Sequence, residues 1–138
     1  MLRGRLLQPD ILRALAANGH GSKVLIADSN YPYETHRGPN AEVVYLNLEP
    51  GRLLVTEVLE VIMDAAPIES AEVMLPADGT RPPIYDEFES RLGSQVNPLG
   101  RFDFYDAVRS EDTCLVVATG EQRIYACVLL TLGVIPPH

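Results

Sequence analysis

The chain is poor in residues that several classes of protein depend on. Its 138 residues include no tryptophan and only two cysteines, Cys114 and Cys127, each within an apolar run. Two cysteines make neither a disulfide framework nor the ligand set of a zinc site, and the three histidines also lack metal-ligand spacing. We therefore expect two reduced, buried cysteines and no bound metal.

Positive charge is scarce as well. The 11 Lys and Arg are outnumbered by 19 Asp and Glu, which gives a formal net charge of -8. Phosphate-binding surfaces need clustered Lys and Arg, so we expect no nucleic-acid partner and no anionic membrane partner. No apolar run approaches the roughly 18 residues of a membrane span, and residues 1–7 lack the apolar core and cleavage site of a signal peptide. The sequence therefore predicts a cytoplasmic protein.

The signatures of common cofactors and nucleophiles are missing too. The sequence contains no glycine-rich phosphate loop, no P-loop lysine motif and no GxSxG turn. The sequence therefore gives no indication of a nucleotide phosphate loop or of a serine nucleophile on a strand–helix turn.

The pattern of apolar residues predicts one α/β domain over residues 1–138. Strands that alternate with helices imply a mostly parallel sheet covered on both faces, in which the last two strands can depart from that regularity. We expect a three-layer α/β/α fold with a mixed sheet of about six strands. The predicted helices are 9–18, 53–66, 84–92 and 101–108, and the strands read directly from apolar runs are 24–27, 42–46, 71–75, 113–118 and 124–130.

The stretch from Asn18 to Asp28 carries an imidazole and a carboxylate around the first strand. Gly19 predicts the end of the first helix, and His20 follows it near the negative end of the helix dipole. Asp28 stands at the carboxyl end of the strand, where open α/β sheets bind their ligands. His20 and Asp28 together would suit proton transfer at neutral pH. Purely structural roles at a helix end and a loop are an equally good interpretation.

Three other features carry candidate chemistry. Arg101 is followed by three aromatic residues, Phe102, Phe104 and Tyr105. An arginine can donate to paired hydroxyls, while aromatic rings stack on the apolar face of a sugar. The alternative is a solvated arginine beside core rings. The loop 29–40 holds His36 and is long enough to suggest a functional role. Tyr125 is predicted at the start of the last strand, where a core or interface role is the alternative.

Taken in chain order, these segments resemble the RbsD/FucU family of sugar mutarotases and pyranases. The resemblance spans nearly the whole chain and rests on 15–21, 26–28, Gly38-Pro39, 101–105, 119–121 and Tyr125. The loop that contains His36 and the element 101–105 are more similar to the L-fucose mutarotase branch than to the D-ribose pyranase branch.

The resemblance implies a cofactor-free isomerase that interconverts the anomers of a free monosaccharide. It implies a ring-like homo-oligomer, commonly a decamer, with its sites at subunit junctions. It also implies roles for individual residues. His20 and Tyr125 would be catalytic, and the sugar would be contacted by Asp28, Arg101, His36 and Tyr125.

Cys127 departs from the family pattern, which has asparagine at this position. A thiol is a weak donor and a weak acceptor, so a sugar hydroxyl that relied on the amide would lose about 1–3 kcal/mol. Either the preferred sugar differs or catalysis is weaker. A non-catalytic monosaccharide-binding module associated with sugar transport or regulation therefore stays open, as does a structural oligomer with a vestigial pocket.

Overall fold

The computed structural model describes residues 1–137, which form four helices and one six-stranded sheet. The helices are α1 (Pro9–Ala17), α2 (Val55–Ala65), α3 (Ile84–Leu92) and α4 (Arg101–Val108). The strands are β1 (Lys23–Ala27), β2 (Glu42–Tyr45), β3 (Ile68–Met74), β4 (Asn97–Leu99), β5 (Thr113–Ala118) and β6 (Val128–Leu132). Across the sheet the order is β2-β5-β1-β6-β3-β4, which places β1 and β6 at its centre.

Local sequence signals explain where several helices begin and end. The Gln8 side chain accepts a hydrogen bond from the N–H of Ile11 at 2.8 Å and so caps α1. Glu57 in the first turn of α2 accepts from the N–H of Leu54 at 3.0 Å. Gly93 follows the last residue of α3, and its φ of 72° is a left-handed conformation that glycine adopts without strain.

All strands except β6 run in one direction. β5 pairs in parallel with both β1 and β2, and β3 pairs in parallel with β4. β6 is antiparallel to both of its neighbours, β1 and β3. The connection 119–127 contains no helix that could carry the chain back across the sheet, so β6 returns in the opposite direction. The predicted mostly parallel mixed sheet is confirmed.

Side chains that alternate along β1 separate two apolar layers. Val24 and Ile26 belong to a core formed with α1, α2 and α3 on one face of the sheet. Leu25 and Ala27 belong to a second core on the other face, formed with α4 and the loop 28–41. The three-layer arrangement predicted from the sequence is therefore confirmed, with α4 and an ordered loop forming the thinner outer layer.

Two predicted strand boundaries are wrong, and one strand was missed. β3 begins at Ile68 and not at residue 71. The segment 93–100 contains the edge strand β4, whose Pro98 lies opposite Val73 at a position where an edge strand tolerates a missing N–H. The last strand begins at Val128 and not at residue 124, because 123–127 form a turn in which Tyr125 has a φ of 55°. The apolar run from residue 124 to residue 130 gave no indication that Tyr125 adopts a left-handed conformation.

Other expectations can be compared directly with the structure. Both cysteines are free and buried, as predicted. Within residues 1–137, none of the helices combines the length and the hydrophobicity that a membrane crossing requires. The same part of the chain contains no group of three or more His, Cys, Asp and Glu arranged to hold a metal ion.

Candidate functional site

A cavity of about 230 Å³ lies at the edge of the sheet where β1 and β3 end and β6 begins. Four residues singled out from the sequence line it: Asp28, Arg101, Tyr125 and Cys127. Asn30, Tyr31, Met74, Tyr105 and Ile124 complete the wall. The carboxyl ends of neighbouring parallel strands are the usual position for a ligand site in an open α/β sheet. The volume lies below the roughly 300–1,000 Å³ range of drug-sized ligand pockets, which suits a small molecule.

Asp28 is the buried carboxyl group of this cavity. Its side chain is held at both oxygens, with Oδ1 accepting from the N–H of Asn30 at 3.0 Å and Oδ2 from the N–H of Ala126 at 3.2 Å. Burial raises the pKa of Asp28 above its ordinary value, and the two backbone N–H groups oppose that rise. The carboxylate is therefore fixed in position, and its remaining lone pairs can accept from a ligand hydroxyl.

The turn before β6 exchanges two hydrogen bonds with Asp28, one as donor and one as acceptor. The N–H of Ala126 reaches the Asp28 carboxylate, and the Asp28 N–H donates to Cys127 Sγ at 3.3 Å. Tyr125 directly precedes Ala126 and Cys127 and has a φ of 55°, which costs about 1–3 kcal/mol for a residue other than glycine. This strained turn places the Tyr125 side chain in the cavity wall.

Cys127 contributes an apolar surface to the cavity. The residue is only 2% exposed, and its sulfur is already engaged by the Asp28 N–H. Burial raises the pKa of the Cys127 thiol well above its ordinary value, so the thiol is neutral. With Met74 and Ile124 nearby in the wall, this side of the cavity offers a ligand few strong hydrogen-bonding groups.

Arg101 begins α4 and brings aromatic rings to the cavity. Its guanidinium carbon lies 5.6 Å from the ring centroids of both Phe102 and Tyr105. A guanidinium that stacks through its face keeps its in-plane N–H groups available for a ligand. Tyr105 forms part of the wall, Phe104 is fully buried in the core, and Phe102 is 73% exposed at the surface. The sequence-based alternative of three core rings therefore holds only for Phe104.

The loop 28–40 is ordered by its own side chains. The hydroxyl of Tyr31 donates to the carbonyl of His36 at 2.6 Å, and the hydroxyl of Tyr33 donates to the carbonyl of Asp28 at 2.8 Å. The His36 ring packs on the edge of Tyr105, with the ring centroids 4.6 Å apart. Burial, together with two nearby arginines, lowers the pKa of His36. His36 therefore supports the wall from behind Tyr105 and does not line the cavity.

His20 lies at the opposite end of β1 from Asp28. Its Nε2 is 2.9 Å from Oε2 of Glu69, and its side chain is 58% exposed. The five residues of β1, at about 3.3 Å each, separate the two ends of the strand. The structure therefore does not bring His20 and Asp28 together within one chain, and the acid–base pair predicted from their closeness in sequence does not form there.

The sequence did not indicate every residue that contributes to this geometry. Glu69 contacts His20, but nothing in its local sequence distinguishes it from the other surface carboxylates. Met74 lines the cavity at the end of β3, although in the sequence it does not differ from a core residue of that strand. Tyr105, which the aromatic cluster around Arg101 had indicated, lines the cavity as well. The roles of Glu69 and Met74 depend on which elements pack together, which the pattern of apolar residues does not specify.

A doubly covered α/β sheet with a small cavity at its carboxyl edge, lined by both polar and aromatic side chains, is typical of a protein that binds a small polar molecule. The sequence model of the RbsD / FucU transport protein family matches residues 1–135 of this chain. The chain belongs to this family, which confirms the resemblance seen in the sequence.

Known proteins of this group match the chain over most of its length. It is 34% identical to a fucose mutarotase of Danio rerio, over 96% of this chain and 92% of that protein. Among solved structures, FucU from Bifidobacterium longum has a TM-score of 0.75 at 31% identity, with 94% of this chain and 95% of that chain covered. The fucose mutarotase of Streptococcus pneumoniae in complex with L-fucose has a TM-score of 0.77 at 26% identity and 94% coverage of both chains.

Proposed function

We propose that this chain is a monosaccharide mutarotase, an isomerase that interconverts the anomers of L-fucose or a related free sugar in the cytoplasm. The observation that carries the proposal is the cavity itself, in which a buried carboxylate, a stacked guanidinium, a tyrosine and an aromatic wall surround a space of monosaccharide size. About one third of the residues are identical to a fucose mutarotase across nearly the whole chain, which supports the same activity.

The cavity walls match the two kinds of surface that a pyranose presents. Asp28 would accept hydrogen bonds from sugar hydroxyls, and the Arg101 guanidinium would donate to adjacent hydroxyl oxygens. Tyr105 offers an aromatic face, and Met74 offers an apolar surface beside Cys127. In this proposal the apolar side receives the part of the sugar that carries few hydroxyls.

Anomer exchange needs two proton transfers and no redox change. The anomeric hydroxyl loses its proton while the ring oxygen gains one, so the bond between C1 and the ring oxygen breaks as the C1 carbonyl forms. Rotation about the C1–C2 bond and the reverse transfers close the ring on the other face. We assign these transfers to an imidazole, His20, and to the Tyr125 hydroxyl, acting as acid and base in turn.

His20 must then come from a neighbouring copy of the chain. The imidazole is exposed and paired with Glu69, a carboxylate that can orient the ring. Two exposed apolar side chains are suited to an interface between copies: Ile124 in the cavity wall is 66% exposed, and Phe102 beside Arg101 is 73% exposed.

The geometry favours a ring. Because His20 and the cavity lie at different ends of β1, each copy would use two different surfaces, and such head-to-tail contacts close into rings when the rotation permits. We propose a ring-like homo-oligomer, with a decamer as the size that the family resemblance implies.

Exchange measurements by NMR test the proposed reaction. Saturation transfer between the anomers of L-fucose, D-ribose and a small panel of other sugars is measured with the wild type and with His20→Ala. Catalysed exchange that disappears in His20→Ala supports a mutarotase with this histidine in the acid–base role. Ligand-induced shifts without exchange above buffer for any sugar would replace the proposal with a non-catalytic binding module.

A further inference from the structure

The motif Thr119-Gly120-Glu121 contains a buried carboxylate that the proposed reaction does not use. The Glu121 residue is 1% exposed. Its Oε1 accepts from Arg123 Nε at 2.9 Å and from the Arg123 N–H at 3.2 Å, while Oε2 accepts from Arg123 Nη2 at 3.1 Å and from the Val55 N–H at 3.3 Å. Removing a carboxylate from water is costly, so its bonds have to offset that cost.

The same motif holds the backbone on both sides of Asp28. The Thr119 hydroxyl donates to the carbonyl of Ala27, the residue before Asp28, at 2.8 Å. The Glu121 carbonyl accepts from the N–H of Ser29, the residue after Asp28, at 2.8 Å. These two bonds fix the position of the Asp28 backbone relative to the turn that follows Glu121.

Glu121 also holds the beginning of that turn. Its carboxylate binds both the side chain and the backbone N–H of Arg123, and the outer side of Arg123 is paired with Glu87 on α3. Two residues later Tyr125 adopts its left-handed conformation, and the Ala126 N–H reaches the Asp28 carboxylate. A turn that contains a strained residue needs restraints of this kind to stay in one conformation.

We propose that Glu121 is a positioning residue for the site. Through Arg123 it fixes the turn 121–126, so that Tyr125 faces the cavity and the Ala126 N–H stays on Asp28. This assignment rests on the proposed function for its kinetic consequence, whereas its structural consequence for the Ala126 N–H can be measured without turnover.

The experiment compares Glu121→Gln, which keeps the size of the side chain, with Arg123→Met, which keeps most of the Arg123 stem, and with the double variant. Glu57→Gln is the matched control, because Glu57 also binds a backbone N–H at the start of α2 but has no contact with the turn. Each protein is assayed for anomer exchange at a temperature well below its own unfolding midpoint. The amide resonance of Ala126 is recorded in the same samples.

We expect both single variants to lose at least about tenfold in kcat/KM, because small displacements of reacting groups are costly to catalysis. The amide resonance of Ala126 is expected to shift in both single variants. The double variant is expected to have a kcat/KM no lower than that of the less active single variant, and Glu57→Gln is expected to keep the wild-type kcat/KM. Folded variants with wild-type kcat/KM and an unmoved Ala126 amide would overturn the proposal.

Two further outcomes have distinct meanings. If Glu121→Gln does not fold, the double variant decides the result, because it removes both charges of the pair and leaves neither one buried without a partner. If the wild type shows no exchange with any sugar, the proposed function fails, while an unmoved Ala126 amide in the variants would refute the positioning role of Glu121.

Discussion

Replacing Cys127 with asparagine is expected to increase the affinity for sugar and to lower the free energy of unfolding of the sugar-free protein. In the wild type the sulfur accepts the Asp28 N–H at 3.3 Å and leaves nothing strong for a ligand. The carbonyl oxygen of an asparagine can take over that bond, while its NH₂ group becomes available to a sugar hydroxyl in the cavity.

The size of both effects follows from the burial of this position. One new neutral hydrogen bond is worth about 0.5–1.5 kcal/mol, which corresponds to a dissociation constant lowered about 2- to 13-fold for a sugar with a hydroxyl at that point. In the absence of sugar, the same NH₂ group is buried without a partner, which costs about 1–3 kcal/mol of folding free energy.

Calorimetric titration with L-fucose and with related sugars measures the first effect, and urea unfolding with and without saturating sugar measures the second. Cys127→Ala is the control, because it removes the acceptor of the Asp28 N–H and adds no donor, so it is expected to lose stability without any gain in affinity. A folded Cys127→Asn protein that binds every sugar no better than the wild type would refute this account of the cavity wall.

Three further perturbations test other parts of the structure. Gly120→Ala is expected to lower the free energy of unfolding in urea by at least about 3 kcal/mol, because a Cβ there would lie 2.1 Å from the carbonyl oxygen of Arg52. Gly4→Ala is the control: no atom lies within 4 Å of its Cβ position, so the free energy of unfolding should change by under about 0.5 kcal/mol. Burial raises the folded-state pKa of Asp28, so its ionised form is lost as pH falls through that raised pKa. We therefore expect kcat/KM to decline with falling pH at a higher pH than an ordinary aspartate would produce. A kcat/KM that stays constant down to the ordinary aspartate pKa of 3.8 would contradict this expectation. Tyr125→Phe keeps the ring, so thermal unfolding should be unchanged, while anomer exchange should fall at least about tenfold; an unchanged rate would remove the hydroxyl from the mechanism.

Strong apolar patterns made much of the fold predictable. The run 24–27 and the run 113–118 are buried on both faces of the sheet, so their hydrophobicity was sufficient to identify β1 and β5. β4 escaped prediction because its three residues include Pro98 and form no apolar run. Its pairing with β3 is a tertiary contact that the local sequence does not encode.

The site was predictable only where the sheet brings its parts together. Asp28 follows a strand, Tyr125 and Cys127 precede the antiparallel strand, and Arg101 begins a helix at the same edge, so all four meet at the cavity. His20 is only eight positions from Asp28, but it precedes β1 and therefore lies at the other end.

Contacts between distant segments were not visible in the sequence. The partner of His20 is Glu69, 49 positions away, and this contact depends on where β3 lies in the sheet beyond β6. The left-handed conformation of Tyr125 likewise occurs between two hydrogen bonds of its neighbours, from the Arg123 N–H to Glu121 and from the Ala126 N–H to Asp28, and its own residue type does not indicate it.

Subunit mixing tests most directly whether His20 of one copy acts in the cavity of another. His20→Ala and Asp28→Asn are each expected to show no exchange of L-fucose anomers above buffer. When the two variants are unfolded together in equal amounts and reassembled, about a quarter of the junctions should combine an intact His20 with an intact Asp28 cavity, and exchange should return to about a quarter of the wild-type rate. Mixed assemblies seen by native mass spectrometry but devoid of exchange would contradict a site shared between copies.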